Sequence, residues 1–159
     1  ARTAVSNGFQ HWQDVPTASI TFSPEAETGT DGFVYDGHNT MTFDDPNGEL
    51  GGGALAACMP YYNTAQTTQT NGVTFYRMTD ADIVFNNNVN FGTNAEAAAG
   101  GCFNLFDIEG VATHEQGHLL GLDHPNVFDA TMYYAIGACD ATKVTLEESD
   151  VNGVTFIYP

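Results

Sequence analysis

Positive charge is what this sequence has least of. Arg2, Arg77 and Lys143 are its only basic residues against 20 acidic ones, a formal net charge of −17. Phosphate backbones are bound through Lys and Arg, so nucleic acid is excluded as a partner. Long apolar runs are missing as well: a stretch such as 51–59 is far below the ~20 residues that cross a bilayer, and no membrane span is expected. No basic region precedes an apolar run, so no signal peptide is expected, while a start at Ala1 rather than Met suits a processed chain. Cysteine is scarce and odd in number. Cys58, Cys102 and Cys139 include no C-x-x-C pair, which argues against a cysteine zinc site or a thioredoxin-type redox pair. One structural disulfide in a secreted protein suits them better, and spacing alone leaves all three pairings open.

What is present is enough for a core. The chain has 159 residues, 42% hydrophobic and 12% aromatic, which predicts one compact domain over residues 1–159. Its carboxylates read as a solvated, self-repelling surface, suited to a saline or calcium-containing medium. Val5, Phe9 and Trp12 recur at helical spacing and predict a first helix ended by Asp14, Val15 and Pro16. Short β-rich runs at 19–23, 39–43, 54–59 and 73–86, the last interrupted near Thr79, predict three or four strands of one sheet. The loops 29–37 and 44–53 are rich in Asp, Asn and Gly, a composition that suits turns and leaves calcium open. Helical spacing returns at 106–122 with Gly121 as the stop, and a capping box from Thr145 to Glu148 opens a last helix carrying Val151, Val154 and Ile157. The class is α+β or mixed α/β.

The second helix carries the chemistry. His114-Glu115-Gln116-Gly117-His118 is an H-E-x-x-H, which puts two imidazoles one turn apart on one helical face, a clamp for a single ion. Alone, this pentapeptide arises in on the order of 1% of shuffled sequences of this composition; adding Gly121 and His124 lowers that to on the order of a few in 10⁵. The glycine has a geometric reason. A continuing helix would carry His124 about 15 Å along the axis from His114, whereas a Zn–N bond is about 2 Å. A residue without Cβ can take the left-handed conformation that ends the helix and swings His124 back. Three neutral imidazoles leave a fourth position for water, the mark of a catalytic zinc site, with Glu115 as general base. Asp123 and Glu147 are weaker candidates for the third ligand.

With these residues the sequence resembles the metzincin zinc peptidases, whose methionine turn is matched by Thr131-Met132-Tyr133. It is most similar to the matrixins: Met132 follows His124 by eight residues, the segment 146–158 resembles their C-terminal helix, 5–22 their first helix and following strand, and 82–86 a strand of bacterial members. The resemblance implies a zincin-like domain with a mixed twisted sheet, one catalytic Zn²⁺ on His114, His118 and His124, Glu115 as base and Met132 beneath the metal. Further implied are a substrate-pairing edge strand at Ala54, Leu55 and Ala56, and a pocket whose preference depends on the loop from Pro125 to Lys143. Tyr134 is a pocket wall, a core aromatic or a transition-state contact, the last reminiscent of serralysins and astacins. Ala57 replaces a histidine of the second, structural zinc of animal matrixins, so one zinc is expected, with Ca²⁺ left open. Matrixins have a strand before the first helix that residue 1 already lies beyond, and an inhibitory pro-segment is not seen. Similarity to secreted bacterial members favours a Cys58–Cys102 bridge with Cys139 outside it. The expected protein is a secreted, monomeric zinc endopeptidase acting on extended protein or peptide substrates. Its alternatives are a catalytically silent zinc- or calcium-binding adhesion module on the same fold, whose signature would be loss of the glutamate, and a calcium-dependent structural protein, which leaves the histidines unexplained.

Overall fold

In the computed structural model of the chain, which describes residues 1–23 and 26–159, the N-terminal apolar stripe forms helix α1 (Arg2–Gln13), with Val5, Gly8 and Trp12 buried. Asp14 caps it as expected. The chain divides into two compact units, one of Ala1–Ser23 with Asn88–Pro159 and one of the described residues of 24–87.

In the second unit, β1 (Met41–Thr42), β2 (Ala56–Thr70) and β3 (Val73–Phe85) form a mixed sheet in the order β1-β3-β2, with β1 parallel and β2 antiparallel to β3. β2 is far longer than the run 54–59 suggested, β3 matches the run 73–86, and only Met41–Thr42 of the run 39–43 is strand. β2 and β3 are joined at Asn71 and Gly72, both at positive φ (51° and 78°) as a type I′ hairpin turn requires. The interruption expected near Thr79 is a bulge: Tyr61 faces Asp80 and Tyr62 faces Met78, which leaves Thr79 as the extra residue, its hydroxyl donating to the Tyr61 carbonyl at 3.2 Å. Two buried carboxylates on β3 organise the loop before β1. Asp82 accepts from Val34 N at 2.7 Å and from Thr40 N and Oγ1 at 2.9 and 2.7 Å, and Asp80 accepts from Asp36 N and Gly37 N. Such bonds offset the cost of burying charge. In the loop 44–53, Asp45 accepts from Glu49 N and Leu50 N, ordinary turn chemistry.

The first unit holds a short parallel pair, β4 (Phe91–Gly92) with β5 (Phe106–Asp107), and the helices α2 (Asn94–Ala97), α3 (Ile108–Leu119) and α4 (Glu148–Ile157). α1 packs along α3: the Trp12 indole donates to Thr113 O and the Gln116 amide donates to Val5 O, each at 2.9 Å and buried. The core gathers Trp12, Val15, Leu120, Met132 and Val154.

Three expectations are corrected. The run 19–23 is not a strand; Ser19 N donates to Tyr158 O at 2.8 Å, Phe22 N to the Gln13 side chain, and the Phe22 ring lies 4.6 Å from Phe9. Helix ends and side chains satisfy this segment in place of a sheet neighbour. The last helix is capped at Glu147 rather than Thr145, with Asp150 accepting from Glu147 N at 2.9 Å. The disulfide joins Cys102 to Cys139, not to Cys58. Cys139 N donates to Leu105 O at 2.7 Å and Asn94 Nδ2 to Ala141 O at 2.9 Å, which brings the two sulfur-bearing segments together within the first unit at a Cα separation of 5.8 Å. Cys58 sits on β2, facing Ile83, in the other unit.

The protein is thus an α+β molecule whose described strands form two sheets, a mixed three-stranded one and the parallel pair β4–β5.

Candidate metal centre

Helix α3 starts from Asp107, whose side chain accepts from Glu109 N at 3.1 Å, and carries His114, Glu115 and His118. It ends in a Schellman turn: Leu122 N donates to Gly117 O at 3.0 Å and Gly121 N to His118 O at 2.9 Å, with Gly121 at φ +90°. This left-handed step turns the chain so that His124 comes back beside the helix. Nε2 of His124 lies 3.1 Å from Nε2 of His114 and 3.0 Å from Nε2 of His118.

The other ring nitrogens show why. His114 Nδ1 lies 2.8 Å from Thr131 O and His118 Nδ1 2.8 Å from Leu122 O; a carbonyl only accepts, so each Nδ1 donates. Burial pushes the pKa of His114 down to about 4 and that of His118 down as well, so both rings are neutral at pH 7, with the lone pair on Nε2. His114 and His118 thus turn Nε2 lone pairs toward the space that His124 Nε2 also faces, an arrangement that a cation held there would satisfy. Ligands at about 2.0–2.1 Å in a tetrahedral sphere stand roughly 3.3 Å apart, within a few tenths of what is found. Zinc therefore fits this donor set, and the carbonyl-held Nδ1 atoms are the orienting partners such ligands use. Among the described residues, these three histidines are the one group of His, Cys, Asp or Glu that brings three ligand atoms within 4.8 Å of one another. Asp123 accepts from His124 N, and Glu147 caps α4.

Met132 is 1% exposed. It lies under α3 at Gly117, where a Cβ would overlap the Met132 sulfur and the Trp12 ring. Glu115, buried, follows His114 on the helix. Tyr134 is 67% exposed, its ring against Tyr133. Of the three residues expected on an edge strand, only Ala56 belongs to β2, where it faces Phe85; Ala54 and Leu55 precede the strand in the second unit, Asn86 N donating to Leu55 O and Asn86 Nδ2 to Ala54 O. His11 meets Glu109 at 2.9 Å, while His38 is exposed in the second unit.

Sequence reasoning missed Asp150. Buried at the first turn of α4, it accepts from Thr131 N at 2.8 Å and Met132 N at 3.1 Å as well as from Glu147 N, and so fixes the turn whose carbonyl orients His114. Thr131 is held from its other side by donating to Lys143 O and Thr145 O. The signal was an acidic residue three positions into a helix, which reads as an N-terminal cap and nothing more.

Over residues 1–159 the chain matches the family model described as matrixin. The chain belongs to the matrixin family. Its relatives include a metalloendoproteinase of Arabidopsis thaliana, 2-MMP, 30% identical over 99% of this matrixin and 36% of the relative, and metalloendoproteinase 1 of Glycine max, 25% identical over 99% of this chain and 45% of the relative. A third, 5-MMP of Arabidopsis thaliana, is 50% identical over 54 residues, 34% of this chain and 15% of the relative. The chain spans less than half the length of these relatives.

Proposed function

We propose that this matrixin is a secreted, monomeric zinc endopeptidase that cleaves extended protein or peptide substrates, with one zinc per chain on His114, His118 and His124. The observation that carries this reading is the convergence of three Nε2 atoms, with the Nδ1 atoms of His114 and His118 spent on Thr131 O and Leu122 O. Zinc, when bound, supplies a Lewis acid and acidifies water. Glu115 takes the proton from the attacking water and delivers it to the leaving amine, a role favoured by its burial and its place one residue after a ligand. Met132 and Asp150 hold the turn that orients His114. Ala54, Leu55 and Ala56, at and just before the first residue of the edge strand β2, offer backbone groups to an extended peptide as an added strand. A disulfide and an acidic surface suit an extracellular setting.

The test is cleavage of a quenched mixed peptide library and of casein by the purified chain and its Glu115→Ala variant, with zinc measured in the same samples. The expected result is one zinc in both proteins and a loss of activity on the order of 10³-fold or more in the variant. A parent that holds zinc and cleaves nothing sinks the peptidase reading and leaves a silent binding module.

A further inference from the structure

Lys143 is one of only three basic residues in the chain, yet it is 3% exposed. Burying an ammonium costs several kcal/mol unless its hydrogens are satisfied. Here none of its partners among the described residues is a carboxylate. Nζ donates to the carbonyls of Phe128 and Ala130, the second at 3.1 Å, and lies 5.2 Å from the centre of the Phe128 ring and 5.7 Å from that of Tyr133. A methionine of similar length would fill the same space without the desolvation cost. What the charge adds is convergence: two carbonyls and two ring faces are drawn to one point. Both carbonyls belong to the segment that leaves the third histidine and returns beneath the triad as the methionine turn, and the lysine's own carbonyl accepts from Thr131 Oγ1 at 3.0 Å. The ring so placed, Phe128, is 72% exposed and stands 5.4 Å from Tyr133, which in turn lies against the exposed Tyr134. An exposed Phe128 ring and a half-buried Tyr133 ring, carried on the segment that runs from His124 through the turn whose carbonyl meets His114 and gathered by a buried cation, are costly to build for stability alone.

We propose that Lys143 is a positioning residue for substrate selection: its ammonium sets the place of the Phe128 and Tyr133 rings as the wall met by the substrate side chain that follows the scissile bond. This rests on the peptidase reading and adds the residue that tunes its preference. Lys143 touches neither substrate nor metal and acts through the rings.

The test uses the zinc-loaded full chain with Lys143→Met and Lys143→Arg, on quenched peptides that differ only in having Ala, Leu or Phe after the scissile bond. Hydrogen exchange of the segment 127–134 is followed alongside. The Met variant should keep its zinc, exchange that segment about tenfold faster with α3 unchanged, and lose about fivefold or more of the parent's discrimination among the peptides. Arg, which keeps the charge and its donors, should recover most of that discrimination. If all peptides slow by one common factor and their ratio stays at the parent value, Lys143 is merely structural and the proposal falls. Should the Met variant not fold, Phe128→Ala alters the same wall at an exposed position, and an unchanged ratio there overturns the proposal equally. A parent that binds zinc but cleaves none of the peptides defeats the peptidase reading and the selection role together; a parent that cleaves while the variants keep its ratio defeats the selection role alone.

Discussion

Gly117 and Asp150 do at the residue scale what the motif itself does not reveal. The pattern H-E-x-x-H leaves the fourth position free, but a Cβ at Gly117 would overlap the Met132 sulfur and the Trp12 ring, neither of which is the far end of a mobile surface side chain. Alanine at an exposed helical glycine would gain up to about 1 kcal/mol; at this one the overlap should win, and Gly117→Ala should lower stability by roughly 2 kcal/mol. A urea melt showing that variant as stable as the parent would remove the close packing from the account. Asp150 accepts from three backbone N–H groups, so Asp150→Ala strands those of Thr131 and Met132 in the interior and uncaps α4 at Glu147, which should cost roughly 3 kcal/mol, with weaker zinc retention during dialysis against a chelator. Unchanged zinc retention would separate Asp150 from the metal centre. The histidines were legible because ligand chemistry imposes spacing on sequence. Asp150 was not, because what it holds lies 18 and 19 residues away and only the fold brings them together.

Among the elements, those read correctly from the chain were the ones with local causes. Helix α3 and its stop at Gly121 follow from an apolar period and one residue able to take φ +90°. β3 is legible at its full length, whereas β2 extends well past the run 54–59 because residues 62–70 are mostly polar and exposed, without the alternation that marks a half-buried strand; the Asn71-Gly72 turn is the stronger sign. The disulfide went astray for a different reason, since pairing depends on which segments meet, and Cys139 meets Leu105 through a backbone bond. One element can be tested by pH. Asp107, the cap of α3, is fully buried; burial raises its pKa against the lowering effect of bonds from Asn94, Glu109 N and Gly110 N. A carboxyl that holds its proton more tightly when folded contributes stability at low pH that is lost as pH rises through the raised pKa. The parent's advantage over Asp107→Asn, which does not titrate, should therefore shrink between about pH 4 and about pH 7 in urea melts. An advantage that grows over that range would reverse the sign of the argument.

For the whole molecule, charge is the governing quantity. Of the three basic residues one is buried among carbonyls and rings, so the surface has almost nothing to set against its carboxylates, even with Asp80, Asp82, Asp107, Glu115 and Asp150 buried among the chain's 20. Folding concentrates those charges, and the repulsion is felt over the Debye length, about 30 Å at 0.01 M salt and about 8 Å at 0.15 M. Adding NaCl across that range should raise the melting temperature by several degrees, given that roughly 1 kcal/mol corresponds to about 2–4 °C in a domain near this size. Calcium at matched ionic strength separates screening from a site. Asp45, Asp80 and Asp82 already accept backbone N–H groups in the loops where a calcium ion would be sought, so turn chemistry accounts for much of that acid without an ion. If screening is the whole effect, CaCl₂ and NaCl give the same melting temperature at equal ionic strength. A further rise with calcium that saturates at low concentration would show bound ions in those loops, and a melting temperature indifferent to both salts would mean that self-repulsion does not limit the fold.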